Sequence, residues 1–145
     1  MLTIAIGSDH RGYEYKNIIQ QQVTLPDKKI NWIDVGYFND TRSDYPPIAC
    51  AVAKKVQEGS ADYGILLCGT GVGVSIVANR CTKIYAALVW NEETARRAKE
   101  EDNANIVCLP ADYITESQAV EMVQAWLQAE FLDDRYGKRL EMIDR

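Results

Sequence analysis

The segment Tyr63–Cys68, YGILLC, is an almost unbroken apolar run of strand length, and it breaks directly into Gly69-Thr-Gly-Val-Gly73. A strand that is apolar on both faces has to be covered on both, which is the situation of a parallel sheet between two helical layers. The rest of the chain repeats the alternation. Leu2–Ile6, Ile30–Val35, Ile84–Val89 and Asn105–Leu109 read as further strands. Between and after them, helical apolar spacing runs over Tyr13–Val23, Ile48–Val56 (opened by Pro47), Val74–Arg80, the charged stretch Glu92–Glu101, Ser117–Phe131 and Gly137–Ile143. Strands alternating with helices predict an α/β fold, a three-layer sandwich around a parallel sheet. The whole chain, 1–145, is expected to form one domain.

Composition narrows the function classes. A net charge of −5 with no basic run argues against nucleic acid as a partner. No apolar run approaches the length of a membrane span, and the start Met1-Leu-Thr-Ile-Ala-Ile reads as a strand rather than a leader. The four cysteines, Cys50, Cys68, Cys81 and Cys108, form no C-x-x-C pair and no zinc-type spacing. They predict free thiols in a reducing, cytoplasmic setting. No cofactor is expected.

In an open parallel sheet, ligands bind beyond the carboxyl ends of the strands. Those ends carry Gly7-Ser-Asp-His-Arg-Gly12, the polar loop 37–47 and Cys68-Gly-Thr-Gly-Val-Gly73. The third segment is the most informative. Its glycines let backbone N–H groups approach a ligand, and the helix that follows adds a positive dipole end. A thiolate beside such donors can remove a carbon-bound proton while the donors hold the developing oxyanion. A bare strand cysteine and a tight turn are the plainer alternative. No Lys follows these glycines as a nucleotide-binding P-loop requires, and Gly7 and Gly12 lack dinucleotide-site spacing.

His10, the only histidine, stands beside Asp9 just past the first strand, where it suits acid–base work or an ordinary loop equally. Tyr45 in Asp44-Tyr-Pro46 offers a phenol near a helix start or simply packs there. Arg135 and Arg139 share one helical face, so they could clamp a phosphate or sit on a solvated surface. The run Arg96–Asp102 reads as an exposed helix face.

Taken together, IAIGSDHRG at 4–12, DYP at 44–46, GILLCGTGVGVSIVAN at 64–79, NANIV at 103–107 and RYGKR at 135–139 resemble the B-type ribose-5-phosphate isomerase family, which includes galactose-6-phosphate isomerase subunits. The resemblance runs nearly the full length, and its most specific part is Cys68-Gly-Thr-Gly-Val-Gly73. It implies a Rossmann-like sheet of five parallel strands and a homodimer, or a tetramer, whose active sites lie between subunits. It also implies metal-independent aldose–ketose isomerisation of a phosphorylated sugar through a cis-enediolate. Carried over by motif, Cys68 would be the base, with Thr70 assisting proton exchange at the oxygens. The Gly69–Gly73 amides, those of Gly69, Thr70, Gly71, Val72 and Gly73, would form the anion hole. Asp9, His10 and Tyr45 would contact the sugar, and Arg135 and Arg139 of the other subunit the phosphate.

The chain departs from the family pattern at three places. The family's His-Asn pair before the last strand is Glu101-Asp102 here, so Asp102 takes the substrate-binding position and the ring-opening His is missing. Asp112 stands where the family favours a phosphate-holding Arg, and Tyr136 where a His is common. The default expectation is conversion of ribose 5-phosphate to ribulose 5-phosphate, with three ways to meet the missing His: His10 opens the ring, the substrate is not ribose 5-phosphate, or the enzyme acts slowly on the small open-chain fraction. The competing expectations are an isomerase of galactose or allose 6-phosphate, and a sugar-phosphate binding protein without turnover.

Overall fold

The computed structural model describes residues 1–144. Five parallel strands, β1 (Leu2–Ser8), β2 (Ile30–Asp34), β3 (Tyr63–Cys68), β4 (Ala86–Leu88) and β5 (Ile106–Pro110), form one sheet in the order β2-β1-β3-β5-β4. The three central strands are the most apolar, and β3 and β5 are buried almost throughout, as the unbroken YGILLC pattern requires.

The described residues form six α-helices: α1 (Tyr13–Gln22), α2 (Tyr45–Gln57), α3 (Val72–Ala78), α4 (Glu92–Asp102), α5 (Glu116–Gln128) and α6 (Arg135–Ile143). Alternation along the strands sorts the core into two halves. Ile4, Ile6, Ile65, Leu67 and Val107 face α1, α4 and α5, where Trp126 and Met122 are fully buried. Ala5, Leu66, Cys68, Ile106 and Cys108 face α2 and α3.

Most predicted elements recur, and the differences have local causes. Helix α2 starts at Tyr45 rather than Ile48, because Pro46 and Pro47 fit a first turn whose N–H groups have no helical acceptor. The glycine loop gives way to α3 at Val72, two residues early. Only Ala86–Leu88 of the expected Ile84–Val89 strand pairs, since β4 is an edge with β5 as its one neighbour. Helix α5 ends at Gln128 rather than Phe131, and α6 begins at Arg135 rather than Gly137. The charged helix is not wholly exposed: Ala95, Ala98 and Lys99 of α4 are buried against α5.

The connection from β1 leads outward through α1 to β2, whereas β3 lies on β1's other side. The strand order thus reverses between β1 and β3, which opens a crevice at their carboxyl ends. The segments that leave these two strands are Asp9–Gly12 and Gly69–Gly71, and Asp9 N bonds Leu67 O across the gap at 3.2 Å.

Candidate active site

An open cleft of about 1050 Å³ occupies this crevice. That is at the top of the usual range for small-ligand sites, roughly 300–1,000 Å³. Its floor is Cys68 with the glycine loop, and its walls are the turn after β1 and the segment entering α2.

Cys68 ends β3 and is 5% exposed. Its Sγ accepts the Gly71 N–H at 3.1 Å. This bond fixes the position of the sulfur at the floor of the cleft. The turn that brings this amide back depends on Gly71, whose φ of +73° lies in the left-handed region, and a Cβ there would meet Leu88 Cδ1 at 2.5 Å. Cys108, on the same sheet face, contrasts with Cys68. It is completely buried, and burial first, then the neighbouring Cys68, pushes its thiol far above the usual range. All four cysteines are free.

The loop amides divide into two groups. Gly71 N is committed to Cys68, and Val72 N bonds Thr70 Oγ1 at 3.2 Å. The amides of Gly69, Thr70 and Gly73 have no protein acceptor among the described residues. The expected hole draws on all the loop amides, and two of them are engaged within the loop itself. Gly71 and Val72 hold the loop's own side chains, and the neighbouring amides are the free donors. Thr70 is exposed at the cleft floor.

His10 lies in the short 3-10 turn His10–Gly12, which Asp9 caps through Oδ1 with bonds from Arg11 N at 3.0 Å and Gly12 N at 3.4 Å. The imidazole is held by Ser43, whose backbone N–H donates to Nδ1 at 3.2 Å, while His10 N donates to Ser43 Oγ at 3.0 Å. Because Nδ1 accepts a bond, the proton of the neutral ring is on Nε2, which makes it a donor. Tyr45 is the first residue of α2 and covers Gly73, where a Cβ would meet its Cζ at 2.6 Å.

The segment that carries Ser43 and Tyr45 is braced from below. Fully buried Lys16 donates to Asp34 Oδ1 at 2.8 Å and to Tyr37 O at 2.6 Å, and Tyr37 Oη donates to Asp44 O at 2.9 Å. Neither Ser43 nor Lys16 was marked by sequence reading, since a backbone amide leaves no residue-type signal and a lysine in a helix reads as surface.

Three expected site residues lie elsewhere. Asp102 ends α4, while Arg135 and Arg139 sit on α6, which packs against α4, and none of the three lines the cleft of their own chain. Asp102 faces a separate depression with Tyr85 and Leu140. Its carboxyl is raised by burial and by Glu101, against the lowering pull of Arg139 and Arg97. Glu101 is bonded to Arg97 of its own helix at 3.1 Å. Asp112 does reach the cleft mouth, where it pairs with Arg11 at 2.6 Å. Among the described residues no three His, Cys, Asp or Glu side chains converge as a metal site would need, and no helix is long and apolar enough to cross a membrane.

Comparison with known proteins adds to this geometry. Residues 4–143 match the Ribose/Galactose Isomerase family. A probable ribose-5-phosphate isomerase B of Mycoplasma genitalium is 43% identical over 145 residues, spanning 98% of this chain and 93% of that protein. The crystal structure of ribose-5-phosphate isomerase B from the same organism, with bound ribulose-5-phosphate, superposes with a TM-score of 0.92 at 42% identity, covering 99% of this chain and 95% of that one. The isomerase B structure from Clostridium thermocellum gives a TM-score of 0.93 at 38% identity over 99% and 95% of the two chains. The parallel five-stranded sheet is shared with these structures, and it accords with the Rossmann-like fold that the motifs implied.

Proposed function

The chain belongs to the ribose/galactose isomerase family, and from that premise we propose that it interconverts ribose 5-phosphate and ribulose 5-phosphate by proton transfer at Cys68. The observation that carries this reading is the Gly71 N–H bond to Cys68 Sγ on the cleft floor, with unpaired amides at Gly69, Thr70 and Gly73 beside it. A base and an oxyanion site side by side are what a 1,2-proton shift needs.

The steps follow from those groups. His10 donates its Nε2 proton to the ring oxygen as the C1–ring oxygen bond breaks, and the O1–H proton passes back to Nε2 as the C1 carbonyl forms, which gives the free aldehyde and leaves the imidazole neutral. The Cys68 thiolate takes the C2 proton, the electron pair moves through C1–C2 onto O1, and the free loop amides stabilise the cis-enediolate. Thr70 Oγ relays a proton from O2 to O1, and Cys68 returns its proton to C1, which yields the ketose and regenerates the thiolate. Asp9 and Tyr45 line the cleft where they can bond sugar hydroxyls.

A second copy of the chain completes the site in this reading. Val72 and Ile76 are exposed at 46% and 59% on the cleft wall, an apolar rim that a partner subunit would cover. Asp102, Arg135 and Arg139, which lie outside their own cleft, would reach the partner's cleft, where the arginines clamp the phosphate. We place this homodimer in the cytoplasm, a reducing setting that suits its free thiols.

The test is incubation with ribose 5-phosphate and with tetrose and hexose phosphates in heavy water, following ketose formation and deuterium at C2. Ribulose 5-phosphate formation with deuterium exchange, abolished by Cys68→Ser, supports the proposal. Binding of sugar phosphates without exchange would make the protein a binding module instead. Turnover of a hexose phosphate in preference to the pentose would move the substrate.

A further inference from the structure

One cation at the cleft mouth has no part in the steps above. Arg11 follows His10 in the turn after β1, and its Nη1 donates to Asp112 Oδ2 at 2.6 Å, which joins the turn after β1 to the segment after β5. The pair lies directly over Gly69. A Cβ on Gly69 would run into Arg11 Nη1 and would stand 2.6 Å from Asp112 Oδ2, so the bare glycine is what lets the two side chains meet there. The guanidinium therefore rests one residue from Cys68, against the loop whose amides face the cleft.

Its bonding is incomplete. A guanidinium presents five N–H donors in a planar fork, and Asp112 engages Nη1 alone, leaving Nε and Nη2 without a protein acceptor among the described residues. The side chains are 54% and 40% exposed, so the pair adds little to folding stability. What it does is orient: the carboxylate holds one edge of the fork, and the turn capped by Asp9 fixes the backbone behind it. The opposite edge stays available for a second oxyanion, and bidentate capture of phosphate is what a fixed guanidinium does best. Arg42 is the other arginine lining the cleft, and the α6 arginines of the same chain do not reach it.

We infer that Arg11, positioned by Asp112, is the cleft's own phosphate-binding guanidinium, an assignment that rests on the sugar-phosphate isomerase reading above. The carboxylate at 112 then does not oppose the phosphate, because its charge is spent on the residue it orients. A guanidinium placed at 112 would occupy nearly the same space as the one arriving from 11, since the two side chains touch.

The experiment measures KM, kcat and melting temperature, with calorimetric affinities for ribose 5-phosphate and for inorganic phosphate, in the full-length protein. Arg11→Ala should weaken both ligands about tenfold or more while kcat changes less than about threefold. Asp112→Asn, which keeps the guanidinium, should weaken them less than Arg11→Ala. The double variant Arg11→Ala with Asp112→Arg should recover affinity to within about threefold of the parent. Unchanged phosphate affinity in Arg11→Ala, or no recovery in a folded double variant, would overturn the assignment and leave the pair a surface brace. If the parent binds phosphate but isomerises nothing, the isomerase reading fails, and the affinity series still decides the role of Arg11.

Discussion

His10 and Ser43 are bonded in both directions: the His10 amide donates to Ser43 Oγ at 3.0 Å, and the Ser43 amide donates to His10 Nδ1 at 3.2 Å. The return bond leaves Nε2 as the protonated nitrogen, so the one histidine of the chain faces the cleft as a fixed donor. This geometry suits protonation of a ring oxygen.

It leads to a prediction that separates ring opening from proton transfer. His10→Ala should slow conversion of ribose 5-phosphate by about 10- to 100-fold. Exchange of solvent deuterium into C1 of ribulose 5-phosphate, which has no furanose ring to open, should fall by less than about threefold. Both rates are readable by proton NMR. Equal losses in the two assays would assign His10 to substrate binding rather than to ring opening.

The two buried thiols are expected to differ completely. Cys68→Ser should reduce turnover by about 1,000-fold or more, because a hydroxyl is a far poorer base than a thiolate. Cys108→Ala, two residues along the same face of the neighbouring strand, should leave kcat within about threefold and cost about 1 kcal/mol of stability from the lost packing. Urea denaturation together with the heavy-water assay checks both.

Gly71 should tolerate no side chain. Gly71→Ala has to hold alanine at a φ of +73° and push Cβ against Leu88. The expected cost is about 1–3 kcal/mol, with the amide at 71 displaced from Cys68 Sγ. The variant should therefore lose activity at temperatures where circular dichroism still reports a folded chain.

If the sites are shared between two copies, inactive variants should complement one another. Cys68→Ser mixed with Arg139→Ala, after unfolding and refolding together, should regain about a quarter of the parental activity, since each mixed dimer holds one intact site. Each variant refolded alone should remain inactive or nearly so. Absence of recovery in a mixture shown to contain mixed dimers would place Arg139 outside the partner's cleft.

Lys99 lies in α4 with its Nζ 3.8 Å from the Tyr63 ring centroid and 4.8 Å from that of Trp126, and it has no carboxylate partner among the described residues. Burial pulls its ammonium down from 10.5 to about 8. The folded chain thus releases this proton first, and between those values the unfolded chain binds more protons. Stability should rise with pH across that window, with the full cost of the buried charge present below pH 8. Lys99→Met should remove this slope and, after loss of the ring contacts, stabilise the protein at pH 7 by about 1–2 kcal/mol. Urea midpoints at pH 7 and pH 10 compare the two proteins. A slope retained in the variant would assign it to other groups.

The apolar run of β3, the glycines after it and the alternation around them were enough to specify a parallel α/β sheet and to put Cys68 at its carboxyl edge. These are local properties: strand burial writes itself into consecutive residues, and a left-handed turn writes itself as glycine. Tertiary structure alone decided how the segments meet. That Ser43 fixes the tautomer of His10 depends on a backbone amide 33 positions away. The meeting of Arg11 and Asp112 depends on β1 and β5 both flanking β3, although 101 positions separate the two residues. Lys99 shows the same limit from the other side, since a lysine in the charged sequence of α4 gives no sign that α5 will bury it under Trp126. Sequence reports what each residue requires of its neighbours along the chain, whereas partners across the sheet are set by strand order, which the residue pattern does not contain.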